Sequence, residues 1–230
     1  MTLHTDRAFE DELARLRTAI LEMGGLVEDQ IVQAIHVLTE RDQALAHSTV
    51  DRDHTVNRLD VEIDELCIKL LALRQPAARD LRLITTALKI TTDLERIGDM
   101  AAHIAERALE LDAEPPAEPR AESMIDLPLI ANLARSMLHR ALDAFVREDA
   151  ELALTVCKED DVIDGQHAQM FSDVFEQIRS HPELIVQGTA QLFISKYLER
   201  IADHATNIAE MVIFMVKGKS IRHLSVPATI

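Results

Sequence analysis

The 230-residue sequence is poor in the residues that build sheets and tight turns. It has no Trp, one Tyr and six Phe, so aromatic residues make up only 3% of the chain. It also has few turn residues, with six Gly and seven Pro. Strands draw on aromatic and β-branched side chains, and all-β folds need many turns. Because apolar residues still make up 47% of the chain, the composition predicts a helical protein with an aliphatic core.

Cysteine, clustered positive charge and long apolar runs are also scarce. Cys67 and Cys157 form neither a CxxC motif nor a disulfide framework, which is typical of a reducing cytosol. A net charge of −16 argues against nucleic-acid binding and disfavours direct adsorption to anionic lipid, since both need Lys and Arg clusters. We expect no signal peptide and no membrane span, because a span needs a run of about 20 apolar residues.

Apolar residues recur at helical spacing through nearly the whole chain, and this pattern predicts six long helices. The predicted helices lie at about 6–39, 43–74, 76–111, 128–147, 149–180 and 183–217. Three prolines, Pro115, Pro116 and Pro119, interrupt the pattern between the third and fourth helices. The fold class is therefore all-α, a tandem repeat of two three-helix bundles. Its predicted parts are a first bundle at 1–112, a linker at 113–125, a second bundle at 126–218 and a tail at 219–230.

One motif occurs in both halves of the chain. Residues 94–106 read LERIGDMAAHIAE and residues 198–210 read LERIADHATNIAE, with nine of thirteen positions identical. Both copies keep a Glu and an Asp four residues apart, which are Glu95 and Asp99, then Glu199 and Asp203. On a helix such a pair shares one face, where like charges repel. The repetition of an unfavourable pair indicates that something neutralises it.

Carboxylates in this arrangement predict a metal site, because their oxygens are hard ligands for divalent and trivalent cations. Each helix would supply half of a site, with His103 or Asn207 one turn further along. A neighbouring helix would complete the site, and Glu28 and Asp29 of the first helix are candidates. The predicted metal-binding residues are Glu95, Asp99, Glu199 and Asp203.

Other interpretations of these residues stay open. Glu95 and Asp99 could instead be solvated, or paired with Arg96, Arg200 or another base. Two further motifs have the carboxylate-x-x-His spacing of di-iron bundles. They fall at different places in the two halves, so we interpret them as surface pairs: Asp51 with His54, and Asp164 with His167. His204 directly follows Asp203 and should point away from the carboxylate row.

The sequence resembles the PhoU family of phosphate-signalling proteins. The resemblance rests on QPAARDLR at residues 75–82 and on KI at 89–90, followed by DLERIGD at 93–99. It continues through YLERIADHATNI at 197–208 and KGK at 217–219. MGGLVE at residues 23–28 extends it towards the start of the chain, so it covers nearly the whole sequence.

This resemblance implies a cytoplasmic regulator that reaches the inner membrane through its partners. Proteins of this family dampen phosphate uptake and the phosphate-starvation response when phosphate is ample. The implied partners are the ATPase subunit of the phosphate ABC transporter and a phosphate-sensing histidine kinase. The family's Glu/Asp-x-x-x-Asp motifs hold metal ions, in some members as multinuclear iron or zinc clusters, and they match the four carboxylates named above. Dimers are common in the family, so a homodimer is one possible assembly.

Two other functions remain alternatives to a regulator. One is an enzyme in which a carboxylate-bound metal performs hydrolysis or oxidation inside a helical bundle. Such an enzyme would need further ligands in register and a buried cavity. The other is a passive metal-binding protein. A regulator needs no catalytic site, and no Ser or Cys has a convincing catalytic neighbour in the sequence, so we expect a protein that is not an enzyme.

Overall fold

A computed structural model of the chain describes residues 2–40, 42–113 and 126–221. Helices make up 94% of the residues so described, and none of them lies in a strand, which confirms the all-α prediction. The six helices are α1 Thr2–Glu40, α2 Gln43–Arg74, α3 Ala78–Ala113, α4 Leu127–Arg147, α5 Ala150–Ser180 and α6 Ile185–Lys217. A short 3₁₀ turn, Pro182–Leu184, leads into α6. Nearly all of the predicted linker and most of the predicted tail lie outside the described residues.

Capping residues explain where several helices begin. Asp42, Asp126 and Asp149 each accept a hydrogen bond from a backbone N–H in the first turn of the helix that follows. Three predicted starts differ by two residues or more, because α1 begins at Thr2 and not at 6, α3 at Ala78 and not at Pro76, and α6 at Ile185 and not at 183. Gln75 adopts a left-handed conformation with φ 47°, so the chain turns through Pro76 before the helix can form.

The helix ends also follow from local chemistry. Gly218 has φ 69°, the left-handed conformation that glycine adopts without a steric cost, and it closes α6 as predicted. Glu148 ends α4 in the same conformation with φ 51°. Its backbone N–H returns to carbonyls of the last turn of α4.

Each half of the chain forms a three-helix bundle, and the two bundles pack against each other mainly through α3 and α6. The predicted apolar stripes of α1, α3 and α6 are buried, and they join in one continuous core. The members of this core on the two motif-bearing helices include Leu94, Ile97, Ala101, Ile104, Leu198, Ile201, Ala205 and Ile208. The repeated motif therefore lies at the centre of the molecule, where α3 and α6 face each other.

The contact between α3 and α6 has approximate two-fold symmetry. His103 of α3 stacks on Tyr197 of α6 with ring centroids 5.4 Å apart. Asp93 of α3 accepts a hydrogen bond from Asn207 of α6 at 3.5 Å. Tyr197 lies 104 residues after Asp93, and Asn207 lies 104 residues after His103, so the two contacts join equivalent positions. The two copies of the motif thus run antiparallel to each other.

No helix in the described part of the chain has an apolar stretch long enough to cross a membrane.

Candidate metal centres

The second bundle brings three carboxylates together. Glu199 and Asp203 of α6 lie beside Asp164 of α5, with ligand oxygens of all three side chains within 4.8 Å of one another. Among the described residues, no other three His, Cys, Asp or Glu side chains place their ligand atoms this close. Two of the predicted ligands therefore meet a third that lies on the neighbouring helix. We call this group, together with Asp160, the second acidic cluster.

Asp160 of α5 lies one turn before Asp164 and adds a fourth carboxylate. Its Oδ1 atom is buried and has no hydrogen-bond partner. Burial, followed by the charges of Asp203 and Asp164, raises the pKa of Asp160 to about 6. Burial and the charges of Glu199 and Asp164 also raise the pKa of Asp203. Asp160 and Asp203 are therefore harder to ionise next to their neighbours, which is the electrostatic situation that a bound cation relieves.

The first bundle holds a related but more open group. Glu95 and Asp99 of α3 lie near Asp53 of α2, and we call these three residues the first acidic cluster. Burial, followed by the charge of Asp99, raises the pKa of both Asp53 and Glu95. Asn57 donates a hydrogen bond to Asp53 Oδ2 at 2.7 Å, which leaves Asp53 Oδ1 buried and without a partner.

Basic side chains partly neutralise both clusters, as the alternative interpretation of the sequence anticipated. The Arg96 guanidinium lies 3.4 Å from Glu95 and 3.3 Å from Asp99, so it bridges the predicted pair. Lys196 forms an ion pair with Glu199. The Arg96 side chain is 54% exposed and that of Lys196 is 51% exposed, so both can swing into solvent at little energetic cost. These ion pairs weaken the repulsion between the carboxylates of both clusters.

Gln30 of α1 is an unexpected neighbour of the first acidic cluster. Its side chain is fully buried, and neither Oε1 nor Nε2 has a hydrogen-bond partner. Gly98 of α3 makes room for it, because a Cβ at this position would lie 3.1 Å from Gln30 Oε1 and 3.6 Å from Asp53 Oδ1. A buried amide and a buried carboxylate oxygen, both without partners, therefore converge on the same point of α3.

Other residues that the sequence placed near the carboxylate rows have different neighbours. Glu28 contacts His139 of α4 at 3.1 Å, and neither Glu28 nor Asp29 is among the charges that raise the pKa of Asp53 or Glu95. Their choice was wrong because α1 turns Gln30, one residue further on, towards α3. His103 stacks on Tyr197, and Asn207 bonds Asp93, so these two residues stabilise the contact between the bundles. His204 points away from the row formed by Glu199 and Asp203, as predicted, and its Nδ1 lies 2.8 Å from Asp93 Oδ1 of α3.

Asp164 is exposed, as its interpretation as a surface residue expects, but it does not pair with His167, which is half-buried. Asp164 belongs to the second acidic cluster. His167 Nδ1 lies 2.6 Å from Ser195 Oγ, and Ser195 is buried. The pattern that indicates the role of Asp164 is a repeat between α2 and α5, and the carboxylate-x-x-His spacing does not reveal it. Asp160 and Asp164 lie 107 residues after Asp53 and Asn57, so α5 and α2 repeat an Asp-x-x-x-Asp/Asn pattern.

The two cysteines do not take part in either cluster. Both are buried and free, and burial raises the pKa of Cys67 and of Cys157 to about 12. They are therefore protonated at neutral pH, and a protonated thiol is neither a nucleophile nor a metal ligand.

These features define a class of protein: a helical tandem repeat with a carboxylate cluster in each bundle. The PhoU domain model matches the chain twice, at residues 20–108 and 127–212, so the chain belongs to the PhoU family. The two matched segments coincide with the two bundles.

Relatives and solved structures agree with this assignment. The chain is 41% identical over 224 residues to the phosphate-specific transport system accessory protein PhoU homolog of Pseudomonas putida, covering 97% of this chain and 86% of the relative. It is 35% identical over 225 residues to the accessory protein PhoU of Escherichia coli K12, covering 96% and 90%. The crystal structure of PhoU from Pseudomonas aeruginosa is similar with a TM-score of 0.85 and 39% identity, covering 92% of this chain and 100% of that one. The phosphate transport system regulatory protein PhoU from Streptococcus pneumoniae gives a TM-score of 0.83 and 32% identity, with 92% and 98% covered.

Proposed function

We propose that this protein is a negative regulator of phosphate uptake and of the phosphate-starvation response. The observation that carries the proposal is the match to proteins named phosphate-specific transport system accessory protein, which extends over 97% of the chain. The regulator acts by contact with the ATPase subunit of the phosphate ABC transporter and with a phosphate-sensing histidine kinase. It works in the cytoplasm, reaches the inner membrane through these partners, and performs no catalysis.

The shape and charge of the protein support regulation by contact. A core shared by both bundles makes the chain one stiff body, and a net charge of −16 surrounds it with a negative field. Such a field speeds the encounter with a basic surface and makes that encounter sensitive to salt. A protein that binds one conformation of its partner more tightly than another shifts the partner's activity without any chemistry.

A deletion strain tests the regulatory proposal directly. Cells that lack the protein should express phosphate-starvation genes in high phosphate and should take up phosphate without restraint. Expression of the chain from a plasmid should restore both forms of control. Normal repression in the deletion strain would refute the proposal.

Binding measurements test how the regulator works. The purified protein should bind the transporter's ATPase subunit or the kinase's cytoplasmic sensory region, and affinity should fall as salt rises. Failure to bind either partner at low salt would refute regulation by contact and would favour the passive metal-binding protein instead.

We also propose that the two acidic clusters bind divalent or trivalent cations, iron or zinc in particular, as mononuclear or multinuclear centres. Asp160, Asp164, Glu199 and Asp203 would hold the cation of the second bundle. Asp53, Glu95 and Asp99 would hold that of the first bundle. A cation there would neutralise the repelling carboxylates and fix α2 against α3 and α5 against α6. Elemental analysis of protein purified without chelators measures the amount of bound metal.

The enzyme alternative makes a different demand on the structure. A carboxylate-metal hydrolase needs room for its substrate next to the metal. A cavity of about 430 Å³ lies elsewhere, at the junction of the two bundles, and its charged lining is Glu10, Arg17, Arg79, Asp80, Arg82 and Glu148. The metal-loaded protein would be an enzyme if it turned over phosphate esters or peroxide and if Asp203→Asn abolished that turnover.

A further inference from the structure

We propose that the side-chain oxygen of Gln30 is a ligand of the cation in the first bundle, either directly or through one bound water. This inference rests on the proposed metal-binding role of the acidic clusters. It adds a third helix, α1, to a centre that the repeated motif alone would build from α2 and α3. It also makes the first centre chemically different from the second.

The burial of Gln30 is the first observation. A side-chain amide has two N–H donors and one carbonyl acceptor. The Gln30 side chain is fully buried and lies within the apolar stripe of α1, next to Ile31, and neither end of its amide has a partner. Buried polar groups are almost always hydrogen-bonded, so an amide with both ends free indicates a polar species that binds there.

The position of Gln30 is the second observation. Its Oε1 and Asp53 Oδ1 lie 3.1 Å and 3.6 Å from the point where a Cβ of Gly98 would be. Gly98 directly precedes Asp99, and Asp53 and Asp99 belong to the first acidic cluster. The free oxygens of an amide and a carboxylate therefore face one spot beside further carboxylates. Amide and carboxylate oxygens together suit hard cations such as Mn²⁺ and Mg²⁺.

The second bundle provides an internal comparison. Residues 34–38 of α1 match residues 141–145 of α4 at an offset of 107, which pairs Gln30 with Met137. Met137 is buried in the core. At the position that matches Gly98, α6 has Ala202, which is also buried. The polar side chain and the space for it thus occur together in the first bundle and are both absent from the second.

A Mn²⁺ titration followed by electron paramagnetic resonance tests this inference on the full chain. The double variant Asp164→Asn/Asp203→Asn disables the second acidic cluster, so the remaining Mn²⁺ binding reports the first bundle. In this background Gln30→Met, which installs the residue of the second bundle, should weaken Mn²⁺ binding at least about tenfold. Gln30→Glu, which keeps an oxygen ligand, should bind Mn²⁺ at least as tightly as the background.

Two controls separate a ligand from a merely structural residue. Gln33→Met changes an amide one turn away, whose Oε1 faces Thr49, and it should leave Mn²⁺ affinity unchanged. Gln30→Met should also raise the midpoint of thermal unfolding of the metal-free protein, because it removes two unpartnered buried atoms. A higher midpoint together with weaker Mn²⁺ binding is the signature of a ligand.

The outcomes distinguish the failure of this inference from that of the proposed metal role. Equal Mn²⁺ affinity for Gln30→Met and the background would mean that the amide bonds only a buried water, and would overturn the inference. So would Mn²⁺ binding by the wild type that disappears entirely in the background variant, since the first bundle would then hold no cation. A wild-type protein that binds no Mn²⁺ would overturn both proposals.

Discussion

The two bundles have the same helices and the same motif, yet their acidic clusters differ. The second cluster has four carboxylates, Asp160, Asp164, Glu199 and Asp203, and three of them already lie within 4.8 Å of one another. In the first cluster Asn57 takes the place of one carboxylate and donates a hydrogen bond to Asp53. Arg96 bridges the other two. A repeated backbone therefore gives equivalent positions, and single substitutions decide how much negative charge each position retains.

This difference implies an order of cation binding. The second acidic cluster has the closer arrangement of carboxylates, so a cation gains more Coulomb energy there and needs less movement. In the first acidic cluster a cation must compete with Arg96, and it gains a neutral amide in exchange. We therefore expect the second bundle to bind the first equivalent of metal.

The largest expected effects are those that the two bundles share. Ile97 and Ile201 occupy equivalent positions in the two motif copies and are both fully buried. Ile97→Ala and Ile201→Ala should each lower the free energy of unfolding by about 2–5 kcal/mol, measured by urea denaturation. Nearly equal losses are expected, because both side chains face the same shared core. A loss below about 1 kcal/mol for one of them would show that its bundle packs more loosely than the structure indicates.

Asp164 of α5 and Asn57 of α2 lie at matching positions, and exchanging Asp and Asn there should change the metal affinities of the two centres in opposite directions. Asp164→Asn should weaken the second centre by about ten- to a hundredfold, and Asn57→Asp should strengthen the first centre by a similar factor. Calorimetric titration with Mn²⁺ measures both changes on the full chain. If neither substitution alters Mn²⁺ affinity, residues 57 and 164 are not ligands, and the difference between them does not set the affinities of the two clusters.

In the metal-free protein, repulsion among the crowded carboxylates should lower the free energy of unfolding at neutral pH. The pKa of Asp160 is about 6 in the folded chain against an ordinary value of 3.8, so the folded state binds more protons than the unfolded state between these values. Stability in EDTA should therefore rise as the pH falls from 7 to 5. Asp160→Asn should raise the free energy of unfolding at pH 7 by about 1–2 kcal/mol, allowing for partial exposure, and should flatten this dependence. The exposed neighbour provides a control, since Asp161→Asn should change stability by no more than about 0.5 kcal/mol.

The smallest expected effects concern the exposed basic partners. Arg96→Gln and Lys196→Gln should each change the free energy of unfolding by less than about 1 kcal/mol, because exposed ion pairs contribute little. Arg96→Gln should nevertheless strengthen cation binding in the first bundle, since it removes the competitor that bridges Glu95 and Asp99. Unchanged Mn²⁺ affinity in this variant would show that Arg96 does not limit binding there.

The fold and half of each acidic cluster could be predicted from the sequence because both are local properties. Helical periodicity indicated all six helices, and a spacing of four residues placed Glu95 with Asp99 on one face. The opposite halves of the clusters depend on which face of α2 and α5 meets α3 and α6, and this is set by tertiary packing. Asp53 and Asp160 were therefore not predicted as members of the clusters, although the sequence places them 107 residues apart. Gln30 gave no signal at all, because one amide in an apolar stripe looks like an ordinary interruption.

Anomalous diffraction from crystals grown with limiting Mn²⁺ shows which acidic cluster binds the cation first. With one equivalent of Mn²⁺ per chain, we expect a strong anomalous peak among Asp160, Asp164, Glu199 and Asp203. With excess Mn²⁺, a second peak should develop between Asp53 and Asp99. A first peak in the first bundle would refute this order of binding, and no peak at either cluster with excess Mn²⁺ would refute metal binding by the clusters.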